Sequence, residues 1–267
     1  MFGIALSTNG KPFGEELFAQ YRAAGISAME LSFSKEKCDS FDFDTAAELS
    51  GKYGVELWSF HLPFCPFDEI DISADGLKKS TVAYFTGLIK KGAAAGIKRY
   101  VVHPSGEPIA DGERDCRMKN AKESLAALAE EADKYGAVIC VEDLPRSCLG
   151  RNSDEILELI SADGRLKVCF DTNHLLNEDI TDFISKTGKY IVTTHVSDYD
   201  FTDEKHWLPG EGKIDWAAVI NALKKADYNG PWLYEVGFKA PKTMPRPRDL
   251  CCADFKQNAE ALFEAAK

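Results

Sequence analysis

The sequence predicts an α/β fold, a single (β/α)₈ TIM barrel over residues 1–267. Eight short apolar, β-branched runs recur along the chain, and segments with a helical period of about 3.6 residues separate them. Runs such as AVICV are apolar almost throughout, as expected for parallel strands that are buried on both faces. The length of 267 residues also lies close to the roughly 250 residues of a typical barrel of this kind.

In chain order, the predicted strands are FGIALS, ISAMELSF, VELWSFHLPF, KRYVVHPS, AVICVEDLP, KVCFDTNH, IVTTHVSD and PWLYEVGF. Segments between them, such as RMKNAKESLAALAEEADKYG, have helical periodicity, and several close on glycine, as helix ends commonly do. A doubly wound open sheet is the alternative fold, but no GxGxxG motif follows the first strand, so its nucleotide-binding form has little support. No linker or low-complexity tract divides the chain, which favours one domain.

Composition and charge narrow the choice of partners. Apolar residues make up 45% of the chain, enough for a substantial core. The 43 acidic and 32 basic side chains give a net charge of -11, which would repel a phosphate backbone and disfavours nucleic acid as a partner. The first residues lack the features of a signal peptide, and no apolar run of about 18 residues occurs, so we expect a cytoplasmic protein without membrane spans.

The cysteines predict no disulfide framework. Eight of them are scattered without CxxC pairs, and a chain of this length needs no disulfides, so reduced thiols are expected. Cys65 follows His61 by four residues, but the sequence does not pair this thiol with a base in space. Neither a GxSxG elbow nor a Walker loop is present.

Histidines and acids gather where the predicted strands end. All five histidines lie at or just beyond the C-terminal end of a strand: His61, His103, His174, His195 and His206. A single histidine there is often structural, whereas five at one rim indicate a site. Four acids end strands two, five, six and eight: Glu30, Glu142, Asp171 and Glu235. Few cations are available on these strands, and burying an unpaired carboxylate is costly, so metal coordination is favoured.

The C-terminal ends of barrel strands converge on one mouth, which predicts a shared site for four of these residues. The four residues are Glu142, Asp171, His195 and Glu235. Three carboxylates and one imidazole suit Mn²⁺, Mg²⁺ or Co²⁺ at least as well as Zn²⁺. A buried, hydrogen-bonded polar cluster without metal is the alternative interpretation.

Five motifs occur in a characteristic order: VEDLP, FDTNH, HVSD, PGEGKIDW and YEVGF. Together they resemble the xylose isomerase-like barrels, and the resemblance covers essentially the whole chain. That family includes sugar phosphate isomerases and epimerases, ketose 3-epimerases and apurinic endonucleases of the endonuclease IV type. Each motif alone is weakly specific, whereas their order and spacing together are specific.

The resemblance implies roles for the residues in these motifs. It implies that a catalytic metal ion is held by Glu142, Asp171, His195 and Glu235, and that His174 faces the substrate. In ketose 3-epimerases, the glutamates that match Glu142 and Glu235 also act as acid and base. A divalent ion on the substrate oxygens would stabilise an enediolate, and carboxylates on opposite faces would remove and return the proton.

The endonuclease branch of the family uses additional zinc ligands, and this chain has candidates for them. By resemblance, His61 and His103 match histidines of the first zinc site, and His206 matches a histidine of the third. Glu204 stands where that branch has aspartate. Sugar enzymes of the family can also keep histidines at the positions of His61 and His103 for substrate contact, so both interpretations remain open.

The segment from Tyr199 to Gly212 is long enough to cover the mouth of the barrel. Asp198 is a candidate acceptor behind the metal ligands or a substrate contact. Trp207 is a candidate for stacking on a sugar or for packing within the segment. The glycines of PGEG predict a turn into a helix that Asp215 caps.

A basic loop, KAPKTMPRPRD, follows strand eight in an otherwise acidic chain. Its cations are Lys239, Lys242, Arg246 and Arg248. Because barrels often bind phosphate near the loops after strands seven and eight, these cations are candidates for selecting a phosphorylated or carboxylated sugar. An ordinary solvated loop is the alternative.

The sequence therefore predicts a divalent-metal-dependent isomerase or epimerase of a small sugar or sugar phosphate, with Glu142 and Glu235 as catalytic groups. The expected substrate contacts are His61, His103, His174, His206, Asp198 and Trp207. The alternatives are endonuclease IV type cleavage at abasic DNA, an inosose dehydratase and a non-catalytic sugar-binding barrel. The helix from Arg248 to Lys267 is a candidate contact in a homo-oligomer.

Overall fold

Eight parallel strands form a barrel in the computed structural model, which describes residues 2–267. The strands are β1 Ile4–Ser7, β2 Ala28–Ser32, β3 Glu56–His61, β4 Arg99–Val102, β5 Val138–Glu142, β6 Lys167–Asp171, β7 Ile191–His195 and β8 Trp232–Tyr234. Their hydrogen-bonded order is β7-β6-β5-β4-β3-β2-β1-β8. A parallel bridge between Val196 and Tyr234 joins the two ends of this sheet. The predicted TIM barrel is confirmed.

Helices connect the strands and cover the outside of the barrel. They are α1 Glu15–Ala24, α2 Lys35–Asp39, α3 Phe43–Tyr53, α4 Lys78–Ala94, α5 Arg114–Asp133, α6 Ser153–Ile160, α7 Ile180–Thr187, α8 Trp216–Lys225 and α9 Cys252–Ala265. The predicted cap of α8 is present, because the Asp215 carboxylate accepts a hydrogen bond from Ala218 N at 3.0 Å.

The last helix is shorter than the sequence pattern suggested. It was expected from Arg248, but it begins at Cys252. The Asp254 carboxylate accepts a hydrogen bond from Cys251 N at 2.8 Å and pairs with Arg248, which holds that arginine outside the first turn. A side chain that caps the helix therefore sets its start.

Alternation along the strands divides the core into an outer and an inner part. In β5, Ile139 and Val141 belong to the large cluster between the sheet and the helices. Cys140 belongs to a separate small cluster with Val101 and Cys169. Because side chains alternate along a strand, Glu142 points to the same side as Cys140 and lies at the C-terminal end of the barrel interior.

Two further expectations concern the whole chain. All eight cysteines are free, as predicted. Within residues 2–267, no helix combines the length and apolar character needed to cross a bilayer.

Candidate active site

Four side chains from neighbouring strands meet at the C-terminal mouth of the barrel. They are the buried Glu142, Asp171, His195 and Glu235, and one potential ligand atom from each lies within 4.8 Å of the others. His195 Nδ1 lies 2.8 Å from Glu142 Oε1 and 3.5 Å from Glu235 Oε2. The same nitrogen lies 3.8 Å from Asp171 Oδ2. The structure therefore brings together the four residues that the sequence pattern selected.

Glu30 holds the ring of His195 from the opposite side. Glu30 Oε1 lies 2.9 Å from His195 Nε2, and Ser59 Oγ donates to Glu30 Oε2 at 2.7 Å. A carboxylate that engages one imidazole nitrogen fixes the ring and directs the other nitrogen, here Nδ1, toward the cluster. In the sequence, Glu30 is recognisable only as an acid near the end of an otherwise apolar strand, β2. Its place beside His195 follows from the fold and not from any sequence pattern.

Two more histidines approach Glu142 from the β3 and β4 ends. His61 Nε2 and His103 Nε2 each lie 3.1 Å from Glu142 Oε2. His61 Nδ1 lies 2.9 Å from the Leu62 carbonyl, so it can donate there while Nε2 faces the carboxylate. These three residues form a second group of potential metal ligands that shares Glu142 with the first.

A third group lies at the rim and joins the loop after β6 to the loop after β7. His206 Nε2 lies 2.7 Å from Glu204 Oε1, and His174 Nε2 lies 3.8 Å from the same oxygen. His174 Nδ1 donates to the Asp143 carbonyl at 2.7 Å, which directs Nε2 into the mouth. His206 has a φ of 51°, a left-handed conformation that costs energy for a residue with a side chain. The structure thus places all five histidines at one site.

Imidazoles provide the positive charge near the buried acids. Within residues 2–267, the ion pairs of Glu142, Asp171 and Glu235 are to histidines and none is to lysine or arginine. Burial alone would lower the pKa of His61, but the Glu142 carboxylate raises it to about 9. Burial raises the pKa of Asp171 to about 7. The histidines and the raised pKa of Asp171 therefore offset the charge of the buried acids.

Two buried oxygens of the cluster accept no hydrogen bond, Glu142 Oε2 and Asp171 Oδ2. His61 and His103 lie close to Glu142 Oε2, but their directions do not suit a hydrogen bond, so proximity alone does not satisfy this oxygen. Unpartnered buried carboxylate oxygens are unusual in proteins and call for a cation or a proton. Their presence, together with the oxygen-rich donor set, fits a divalent metal ion.

A cavity of about 260 Å³ opens directly above these groups. Four of its lining residues are histidines, namely His61, His103, His174 and His206. Phe64 stacks on His103 with ring centres 4.4 Å apart, and Phe67 and Leu144 add apolar side chains to the lining. Glu204 and Glu235 add carboxylates. The cavity lining therefore combines apolar groups with hydrogen-bond acceptors.

Asp198 and Trp207 do not take the substrate contacts predicted for them. The Asp198 carboxylate is fully buried and accepts hydrogen bonds from Gly210 N at 2.7 Å and Trp216 Nε1 at 2.9 Å. Trp207 Nε1 donates to Thr243 Oγ1 at 2.9 Å, and its ring lies outside the cavity lining. Both residues make contacts within the protein that hold the segment covering the mouth, and those of Trp207 agree with the packing alternative.

The basic loop after β8 also turns away from the cavity. Arg246 pairs with Glu211 through Nε at 2.8 Å and Nη2 at 2.6 Å, and Arg248 pairs with Asp254 at 2.7 Å. Lys239 and Lys242 are exposed, and none of the four cations lines the cavity. Carboxylates already bind both arginines: Glu211, distant in sequence, binds Arg246, and Asp254, near in sequence, binds Arg248. The loop therefore offers the cavity no cation.

Known proteins share parts of this sequence. An uncharacterized protein of Methanocaldococcus jannaschii is 28% identical over 192 residues, covering 68% of this chain and 65% of that protein, just under two thirds of its length. An inosose isomerase of Bacillus velezensis is 30% identical over 122 residues, which cover 42% of this chain and 44% of the relative.

Solved structures share the fold along the whole chain. A D-tagatose 3-epimerase-like protein superposes with a TM-score of 0.83 and 21% identity, covering 100% of this chain and 98% of its own. A D-psicose 3-epimerase from Clostridium cellulolyticum H10 has a TM-score of 0.77 and 18% identity, with coverage of 100% and 98%. At sequence level, the profile of the xylose isomerase-like TIM barrels matches residues 18–250. This chain therefore belongs to the xylose isomerase-like TIM barrel family.

Proposed function

We propose that the protein is a divalent-metal-dependent isomerase or epimerase that moves a proton on a small sugar. One observation supports this most directly: three buried carboxylates and an imidazole meet below a cavity of about 260 Å³, with two carboxylate oxygens lacking hydrogen-bond donors. A cavity of this size suits a monosaccharide rather than a polymer, since drug-sized ligand pockets typically measure about 300–1,000 Å³.

The metal ligands in this proposal are Glu142, Asp171, His195 and Glu235, whose donor atoms already lie within 4.8 Å of one another. When bound, a divalent cation would polarise the substrate carbonyl and stabilise the negative charge that develops as a neighbouring proton leaves. The donor set suits Mn²⁺, Mg²⁺, Co²⁺ or Zn²⁺.

Glu142 and Glu235 are the proposed acid and base. They belong to β5 and to the residue after β8, so they reach the cluster from different directions around the barrel. Burial opposes their ionised forms, but the His195 imidazole lowers the pKa of both carboxyl groups, which favours the carboxylates that accept a proton. His61, His103, His174 and His206 would contact substrate hydroxyls from the cavity wall.

The relatives support a sugar substrate. Two of the superposed structures are, by name, a D-tagatose 3-epimerase-like protein and a D-psicose 3-epimerase, and one sequence relative is an inosose isomerase. Each of these names indicates a small polyhydroxy ketone. Isomerisation, epimerisation and dehydration of such a compound begin with the same proton abstraction next to the carbonyl, so the substrate and product must be determined by experiment.

The test is to incubate Mn²⁺-loaded protein with a panel of ketoses and inososes in D₂O. We expect deuterium at the carbon next to the carbonyl of at least one compound, with an epimer, an isomer or an unsaturated dehydration product detected by NMR. Protein stripped with EDTA is the control and should lose this exchange until Mn²⁺ is restored. Tight binding of a ketose without any exchange would instead favour a non-catalytic sugar-binding barrel.

A second candidate, metal-dependent cleavage at abasic DNA, is favoured by the two additional groups of potential ligands. These groups are His61, His103 and Glu142, and His174, Glu204 and His206. The net charge of -11 opposes DNA binding. Elemental analysis after dialysis discriminates between the functions: three tightly bound zinc ions with nicking of an abasic duplex would establish the endonuclease, whereas a single exchangeable ion supports the sugar enzyme.

A further inference from the structure

Arg146 stands at the rim of the cavity, and three carboxylates already bind its guanidinium. Its Nε and Nη2 lie 3.0 and 2.7 Å from the Glu107 oxygens. Its Nη1 lies 2.8 Å from Asp203 Oδ1, and its Nη2 lies 3.1 Å from Glu204 Oε2. Among the described residues 2–267, Arg146 is the only lysine or arginine that lines the cavity. Three carboxylates around one guanidinium leave the rim negative.

Arg146 links three loops of the mouth, and its backbone conformation holds it in place. Arg146 has a φ of 54°, a left-handed conformation that the surrounding structure must hold in place. It follows β5, whereas Glu107 follows β4 and Asp203 lies in the loop after β7. A guanidinium that joins three loops in this way has no free edge for the bidentate grip by which arginine binds phosphate.

The floor of the cavity is negative as well. Glu30, Glu142, Asp171 and Glu235 lie buried at or below it. One divalent cation would offset two of these charges. A phosphate group would still meet carboxylates at the rim and below.

The turn that often binds phosphate in barrels of this type is occupied by the protein itself. Backbone donors of the loops after the last strands commonly serve that purpose. Here Gly210 N donates to Asp198 Oδ2 at 2.7 Å, and Ile214 N donates to Asp198 Oδ1 at 3.2 Å. A Cβ at Gly212 would lie 2.3 Å from Asp198 Oδ1, so the turn closes tightly around this carboxylate. An internal anion thus takes the donors that an external phosphate would need.

The cavity lining contains groups that suit an uncharged sugar better than a phosphate. The side chains of Phe64 and Phe67 are 36% and 39% exposed at the mouth, where their rings can pack on the C–H face of a sugar. Glu204 and Glu235 in the same lining are acceptors for hydroxyl donors. Hydroxyl groups pair with carboxylates, whereas a phosphate dianion is repelled by them.

From this charge pattern we infer that the site takes an uncharged polyhydroxy substrate, and that Arg146 with its carboxylates excludes the phosphorylated counterpart. This inference rests on the proposed sugar chemistry and adds the substrate class.

The test compares each sugar with its own monophosphate. Mn²⁺-loaded protein, freed of excess ion, is titrated by calorimetry with D-fructose, D-xylulose and D-ribulose and with the monophosphate of each. We expect at least one neutral sugar to bind and its monophosphate to bind at least about tenfold more weakly. The ratio between the two dissociation constants should decrease at high salt. Equal or tighter binding of the monophosphate, or no binding of any neutral sugar, would overturn the inference.

A double variant tests the cause of the exclusion. Glu107→Gln with Asp203→Asn frees Arg146, and the ratio between the two affinities should shrink by about threefold or more. Glu123→Gln with Glu131→Gln is the matched control, because it removes the same charge from exposed pairs with Lys78 and Lys134. Equal shrinkage in the control would assign the effect to overall charge and overturn the inference.

Turnover distinguishes this inference from the proposed function. Conversion of a monophosphate, but not of the free sugar, would overturn the inference while the isomerase or epimerase activity stands. Preferred binding of the neutral sugar without any proton exchange would uphold the inference about substrate charge and refute the proposed activity.

Discussion

The two ends of the barrel interior use the same strands for opposite purposes. At the N-terminal end, Ala5, Ala28 and Leu233 pack together with Trp58 against them. At the C-terminal end, acids and imidazoles from the same sheet meet, with the Ser59 hydroxyl beside Glu30. In β6, Cys169 lies in an apolar cluster and Asp171, two residues on, lies in the candidate metal site. A step of two residues along one strand therefore separates packing from chemistry.

The two ends of the interior differ in the cations that contact their side chains. The Arg99 guanidinium lies 3.3 Å from the centre of the Trp58 ring, and Trp58 Nε1 donates to Thr193 Oγ1 at 3.1 Å across the barrel. At the mouth, by contrast, the acids within residues 2–267 pair with histidines alone. The half-buried Arg99 shows that the interior admits a guanidinium, so the lack, within residues 2–267, of a lysine or arginine paired with the four-residue cluster fits a place for a metal ion.

The largest expected effect comes from neutralising one acid of the mouth. Glu235→Gln should lower kcat/KM for the converted sugar by about 10²–10⁴-fold, the usual contribution of a general acid or base. The metal-free variant should melt at a lower temperature than the metal-free wild type, because the Glu235 carboxylate, whose pKa is lowered by His195 and His206, loses its pairing with these imidazoles. Steady-state kinetics and thermal melts with and without Mn²⁺ measure the two effects.

Glu130→Gln on the exposed face of α5 is the matched control and should change neither quantity. A Glu235→Gln variant that keeps wild-type turnover would remove this residue from the proposed chemistry. A higher melting temperature of the metal-free variant would mean that repulsion from Glu142 outweighs the pairing of Glu235 with the imidazoles.

The opposite end should respond in stability and not in metal binding. Leu233→Ala opens a cavity among fully buried side chains and should lower the free energy of unfolding by about 2–5 kcal/mol. Urea denaturation of the metal-free protein measures this loss. The Mn²⁺ dissociation constant of the folded variant should stay within about threefold of wild type, because the ligands keep their positions. A much larger change in metal affinity would show that the two ends are coupled, contrary to the division described here.

Strand periodicity was sufficient to predict the barrel, and strand ends were sufficient to locate Glu142, Asp171 and His195. These features depend on neighbours in sequence, because the last residue of each parallel strand lies at the mouth whatever the course of the helix that follows it. The partners of Asp198 and Arg246 depend instead on contacts between loops. The hydrogen bond from Gly210 N to the Asp198 carboxylate forms only once the turn has formed, and no local sequence pattern predicts it.

The charge content of the loop after β8 left its role open for the same reason. Its four cations within eleven residues were compatible with an anion site or an ordinary loop, and only the fold brings Glu211, from the segment before α8, to Arg246. Arg146, the cation that lines the cavity, belongs to no basic run in the sequence. Its ion pairs form only when the loops after β4, β5 and β7 pack together.

The smallest expected effect concerns Glu30, which lies deeper in the barrel than the proposed ligands and acts through one of them. Glu30→Ala leaves His195 Nε2 without its carboxylate partner and should weaken Mn²⁺ binding by about 10–100-fold. Competition with a fluorescent chelator measures the dissociation constant. Glu30→Gln keeps an acceptor near the ring and should recover part of the loss, a rescue that a purely structural residue would not show in metal affinity.

Ser59→Ala is the matched control for this last effect. It removes the hydroxyl that donates to Glu30 Oε2 while leaving the carboxylate beside His195, so its effect on metal affinity should be smaller than that of Glu30→Ala. Equal effects of the two variants would mean that the hydroxyl and the carboxylate act as one unit. Wild-type Mn²⁺ affinity in Glu30→Ala would show that the remaining contacts of the imidazole suffice to orient it. The residues that determine metal binding would then all lie at the mouth.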